Sequence, residues 1–332
     1  NPCENQLIKI KSVFFICLVV IGKVKLIWVS FLSSINWDHV YGGFKRIGGC
    51  YRPFSRSVWT DQGDPINVIK EDGIFMIELN RPSKRNCINT PMAEKLIAAI
   101  DEFEGDDESK VGIIYGKGGN FCAGFDLNEL ASDSSINSRQ RIGLDKWMIS
   151  KPMIAAIEGY AVAGGLELAL ACDFRACEED SFLGFYNRRF GIPLLDGGTV
   201  RLSRIIGLSR ALDLILNGKK ISAHEALNMG LVNEICAVGS VLGKAISMAS
   251  CLRKFDQNAL LADRKSIYTS TFQSSENMEE ALKFEYSNGS PIMSENGAKG
   301  AKLFLEEGIG RHGATAIHSQ DEIMAQHKPE IF

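Results

Sequence analysis

The chain has 332 residues, 45% of them hydrophobic and 23% charged, which is enough to bury a substantial core in the manner of an ordinary globular protein. Its net charge is −3, and because residues 1–65 carry eight Lys/Arg against four Asp/Glu, the rest is acidic. That balance argues against phosphate-backbone binding as the main activity, since such a footprint needs clustered positive charge.

Residues 1–65 read as a leader, either a targeting segment or a gene-model artefact, and the fold is read from 66–332. The first methionine is Met76. Residues 12–32 are apolar, but Lys23 and Lys25 interrupt them and leave runs of about ten residues where a membrane span needs about 20. Membrane contact is therefore not expected for the main domain. Residues 42–60 hold Lys45, Arg46, Arg52 and Arg56 and no acid, the composition of a mitochondrial transit peptide. A mitochondrial location follows from that reading, and a cytoplasmic one if the leader is an artefact. Nine cysteines without a CxxC pair or a Cys/His cluster point to a reduced setting and no metal site.

From residue 66 the chain alternates apolar and polar residues around Asp72-Gly73, a hairpin signal. Thr90 then reads as an N-cap with Pro91 at the first helical position, and Met92, Leu96, Ile100 and Phe103 follow at helical spacing. Residues 111–116 and 152–159 read as strands, each followed by a glycine-rich turn. Short helices are expected at 201–206 and 211–216, and Ser222 with Glu225 forms a capping box closed by Gly230. From Val241 the chain is mostly helical. The pattern is an α/β layered domain with a helical C-terminal region.

Two of the turns could carry chemistry. Gly118, Gly119 and Gly124 in one, and Gly164 and Gly165 in the other, allow main-chain N–H groups to be aimed outward, the second set at a helix N-terminus. Converging, they would form an oxyanion hole; separately, each is an ordinary structural turn. Glu167 lies one helical turn past Gly164, where an acid also complements the helix dipole.

The stretches RPSKRNCINTPM (81–92), FCAGFDL (121–127), KPMIAAIEGYAVAGGLELALACD (151–173) and GIPLLDGGTVRLSRIIGLSRALDLILNG (191–218) resemble, in order, the signatures of the enoyl-CoA hydratase/isomerase, or crotonase, family. The resemblance covers about 66–332. It implies a spiral of ββα units with a helical C-terminal part that builds homotrimers or hexamers. It also implies an acyl-CoA thioester as substrate, with CoA arriving as part of it and no separate cofactor.

Matched motif to motif, the oxyanion donors fall on the main-chain N–H groups of Phe125 and Gly164. Arg81, Lys84, Arg85, Ala123 and Asp126 fall beside the CoA-binding segment, although a solvated basic loop also accounts for the cations. Glu167 matches one of the two acid/base glutamates of the family's hydratases. The second would stand at position 187, where this chain has Asn187, and an amide orients water but does not exchange protons near neutral pH. Asp196 is the best compensating acid; its other reading is a cap for a helix starting near Thr199. The resemblance therefore implies enolate chemistry closer to isomerisation than to efficient hydration, or else a catalytically impaired CoA-thioester binder. RNA binding, known for one branch, is disfavoured because residues 93–110 hold seven acids and two lysines.

Overall fold

The computed structural model describes residue 61 and residues 63–132, 148–273 and 277–307. Almost all of the expected leader lies outside these. The hairpin forms as read, with β1 (Ile66–Glu71) and β2 (Ile74–Leu79) antiparallel and Asp72 at φ 48° in the turn. A 3₁₀ turn (Pro82–Lys84) leads to α1 (Thr90–Gly105). The cap of α1 is Asn89, whose side chain accepts from the Met92 N–H, so the expected Thr90 cap is corrected by one residue. Both are good capping types, and Pro91 fits either of the first two helical positions.

Next come β3 (Val111–Gly116), the short α2 (Leu127–Ser132), β4 (Met153–Ile157), β5 (Tyr160–Val162) and α3 (Gly164–Ala171). They are followed by β6 (Phe174–Glu178), β7 (Phe182–Gly184), a 3₁₀ segment (Tyr186–Phe190), α4 (Gly198–Ile206) and α5 (Leu208–Leu216). The last part holds β8 (Lys220–Ser222), α6 (Ala223–Asn228), β9 (Glu234–Cys236) and the helices α7 (Val241–Arg253), α8 (Gln257–Phe272), α9 (Met278–Ile292) and α10 (Ala298–Glu307). Ser222 and Glu225 do form the capping box. Helices α4 and α5 each start three residues earlier than the sequence spacing indicates.

Six strands form one sheet in the order β1-β2-β3-β4-β6-β9, parallel throughout except for the hairpin. A parallel sheet is buried on both faces, so its strands read as near-continuous apolar runs, as Met153–Ile157 does. Alternation still divides them between two cores. Phe75, Ile77, Ile114 and Ala155 face α1 and α3, while Met76, Ile113, Ile154 and Ala176 pack on Val241, Ala245 and Ala249 of α7. A second small sheet, β5-β7-β8, stands apart. With α3 it carries the segment that matters for function, because all eight residues of that helix are buried.

Candidate active site

Two short main-chain bridges hold the glycine turns together. The Cys122 N–H donates to the Tyr160 carbonyl at 2.9 Å, and the Val162 N–H donates to the Cys122 carbonyl at 3.1 Å. Side chains would prevent this approach. A methyl group on Gly165 would lie 2.3 Å from the Cys122 carbonyl oxygen, and one on Gly124 would lie 3.1 Å from the Gly164 nitrogen. Ala163, which precedes α3, is held at φ 52° and ψ −126°, a strained conformation for a residue with a side chain. Its own N–H is anchored on the Gly184 carbonyl at 2.9 Å. Among the described residues, neither the Phe125 nor the Gly164 N–H donates to a protein acceptor. The first N–H groups of a helix have no partner within it, and here one of them stands beside a second donor from the facing turn.

Both residues line a cavity of about 300 Å³, together with Arg85, Ala123, Glu167 and Asn187. Leu127, Phe190, Ile192 and Leu194 make part of the wall apolar. Glu167 is 1% exposed. Its Oε1 accepts from the main-chain N–H groups of Asp196 and Gly198, each at 2.9 Å. Burial lifts the carboxyl to about 7, with the Asp196 charge adding to the rise and the two N–H bonds opposing it. A carboxyl poised near neutrality can both take and return a proton.

The other residues singled out from the sequence divide. Asp196 is buried, but the expected cap is not seen: α4 begins at Gly198 with Gly197 before it and no side-chain cap bond. Asp196 meets Glu167 through its main-chain N–H, and its carbonyl accepts from Arg201 Nη1 at 2.9 Å. Arg81 and Asp126 pair with each other at 2.9 Å, and Arg81 also donates to the Cys87 carbonyl. Burial pushes the Asp126 carboxyl up, but bonds from Arg81 and Asn128 outweigh it and hold the group below its ordinary value. This pair braces the two loops. Lys84 is exposed at the end of the 3₁₀ turn, while Arg85, at φ 52°, places its guanidinium 5.7 Å from the centre of the Tyr160 ring at the cavity.

Sequence reasoning missed Arg201, the strained Ala163 and the aromatic lining by Tyr160 and Tyr186. Nothing local marks Arg201, whose reach back to Asp196 is a product of how α4 folds. A larger cavity of about 510 Å³ lies against α4 and α8, where Asp173 accepts from Arg264 at 2.8 Å and from Tyr268 at 2.9 Å. Arg264 pairs with Asp173 there, and none of the residues singled out from the sequence lines this cavity.

An acid titrating near neutrality, set beside two main-chain donors in a partly apolar cavity, gives the parts of an acid–base enzyme rather than of a scaffold. Residues 69–311 match the family model described as enoyl-CoA hydratase/isomerase, and the chain belongs to that family. It is 38% identical over 204 residues to a probable mitochondrial enoyl-CoA hydratase of Arabidopsis thaliana, covering 59% of this chain and 68% of the relative. To an enoyl-CoA hydratase of Mycobacterium tuberculosis it is 32% identical over 259 residues, 75% of this chain and 96% of the relative. Among solved structures, an enoyl-CoA hydratase from Mycobacterium tuberculosis superposes with a TM-score of 0.68 at 33% identity, over 74% of this chain and 97% of that one. One from Geobacillus kaustophilus gives 0.68 at 29% identity, over 73% and 95%.

Proposed function

We propose that the protein forms and quenches the enolate of an acyl-CoA thioester. The thioester oxygen rests on the Phe125 and Gly164 N–H groups, which strengthen their hold as negative charge develops there. Glu167 removes the α proton and, where the acyl chain carries a β,γ double bond, returns it at the γ carbon, so that the double bond moves into conjugation with the thioester. The observation that carries this reading is Glu167 itself, buried, lifted to about 7 and lining one cavity with both donors. Asp196, whose charge helps to raise Glu167, is the candidate second acid. Arg85, Lys84 and Ala123 flank the CoA moiety, with Arg81 and Asp126 bracing that segment. No metal or redox cofactor takes part.

Asn187 favours isomerisation over hydration, because adding water across a double bond draws on a second proton-exchanging group. The same residue supports a second reading, a binder of CoA thioesters with impaired catalysis. Exposed apolar residues on the C-terminal helices, among them Ile267, Leu282, Tyr286 and Leu305, support assembly into a trimer or a pair of trimers. The basic, acid-free stretch 42–60 and the mitochondrial relative support a mitochondrial address.

Turnover of a panel of enoyl-, dienoyl- and malonyl-type CoA thioesters by wild type and Glu167→Gln tests the reading. Double-bond migration that depends on Glu167 supports it. Binding without turnover selects the second reading, and equal rates for both proteins remove Glu167 from the mechanism.

A further inference from the structure

Two side chains hold the turn that precedes α4. Residues 192–197 belong to no helix or strand. The Asp196 and Gly198 N–H groups donate to Glu167 Oε1, and a methyl group on Gly198 would lie 2.8 Å from Glu167 Cγ. Arg201 Nη1 donates to the Asp196 carbonyl at 2.9 Å, and a methyl group on Gly197 would lie 2.2 Å from that nitrogen. The main-chain N–H of Arg201 donates to the Gly197 carbonyl at 2.8 Å, so one residue fastens the turn twice. Gly197 stands at φ 89° with the guanidinium against it, and Gly198 has the carboxyl against it; a side chain at either would push the turn off its partner. Arg201 lines the larger cavity rather than the one that holds Glu167, so whatever it does for the acid it does through the turn. Both donors fall on Oε1, and Oε2 accepts from none among the described residues. With both lone pairs of Oε1 engaged, a proton on this carboxyl sits on Oε2.

We propose that Arg201 is a positioning residue for Glu167: through the Asp196 carbonyl it fixes the two N–H donors on Oε1, which leaves Oε2 as the oxygen that exchanges the proton. This rests on the acyl-CoA reading and deepens it. The α proton passes to Oε2, and the electron pair it leaves behind becomes the enolate whose oxygen lies on the Phe125 and Gly164 N–H groups. Oε1 keeps both N–H bonds throughout, changing from a carboxylate oxygen to the carbonyl oxygen of the acid. Rigidity matters here, because a displacement of about 1 Å at a reacting group can cost about 10²-fold in rate.

Infrared difference spectroscopy of the ligand-free protein at pH 5, below the Glu167 value of about 7, reads the positioning without any substrate. The carboxyl band that Glu167→Gln abolishes is expected at higher frequency in Arg201→Met, because a carbonyl oxygen with weaker N–H bonds has a stiffer C=O bond. With a saturated acyl-CoA in deuterium oxide, α-hydrogen exchange should fall by at least about tenfold in Arg201→Met, while calorimetric affinity for the thioester stays within about twofold. In the Glu167→Gln background the same substitution should change residual exchange by about twofold or less, since nothing is left to position. Gly197→Ala crowds Arg201 Nη1 and leaves both side chains in place, so it should shift the same band and lower the same rate even if Arg201→Met fails to fold. An unmoved band, unchanged exchange, or equal losses with and without Glu167 would overturn the proposal. A shifted band in a protein that exchanges no thioester α-hydrogen would support the positioning and sink the acyl-CoA reading instead.

Discussion

Glu167→Gln separates the stability of the folded chain from its chemistry. The substitution keeps the side-chain length and an oxygen that can accept from the Asp196 and Gly198 N–H groups, but it removes the charge. Burial raises the carboxyl from 4.5 to about 7. A group with a raised folded value keeps its proton in the folded protein at a pH where the unfolded chain has lost it. Stability is therefore full below about 4.5 and declines as pH rises through about 7. At about 1.36 kcal/mol per pH unit, ionised Glu167 costs the folded protein on the order of 3 kcal/mol relative to a neutral side chain. Urea unfolding of both proteins between pH 5 and pH 9 should show Glu167→Gln gaining most of that amount as pH rises, while losing activity. Parallel stability curves over this range would refute the claim that a neutral acid is buried here.

Other substitutions probe the parts one at a time. Gly124→Ala sets a methyl group 3.1 Å from the Gly164 nitrogen at a residue held at φ 89°; turnover should fall by about 10²-fold or more, with thioester affinity much less affected. Arg201→Met removes a positive charge that lowers the Glu167 value and the donor on the Asp196 carbonyl. The acidic limb of its pH–rate profile should move to higher pH, a shift that simple loosening of the fold would not give. Asn187→Glu restores a proton-exchanging group, and hydration of a 2-enoyl-CoA should rise by about tenfold or more in a spectrophotometric assay.

Much of the architecture was legible because periodicity and turn chemistry agreed with the final packing. The hairpin at Asp72-Gly73, the strand Val111–Gly116 and the capping box at Ser222 all formed where local signals put them. The start of α4 was hidden, because two glycines are poor helix formers and Gly198 is placed by its N–H bond to Glu167. Asp196 shows the same limit in the site. Its side chain drew notice in the sequence, but its bonds to Glu167 and Arg201 run through its main chain, whose donors and acceptors are common to nearly every residue type. The Asn187 departure was visible in the sequence. That its Oδ1 accepts from no donor among the described residues was not, since that depends on the Ile192 carbonyl holding the other end of the amide.

Proton exchange in deuterium oxide tests most directly whether Phe125, Gly164 and Glu167 act together on a thioester. With a saturated acyl-CoA, wild-type protein should wash out the α-hydrogen signal in proton NMR, and Glu167→Gln should leave it in place for at least about a hundredfold longer. Washout at equal rates by the two proteins, or by neither, would contradict the account.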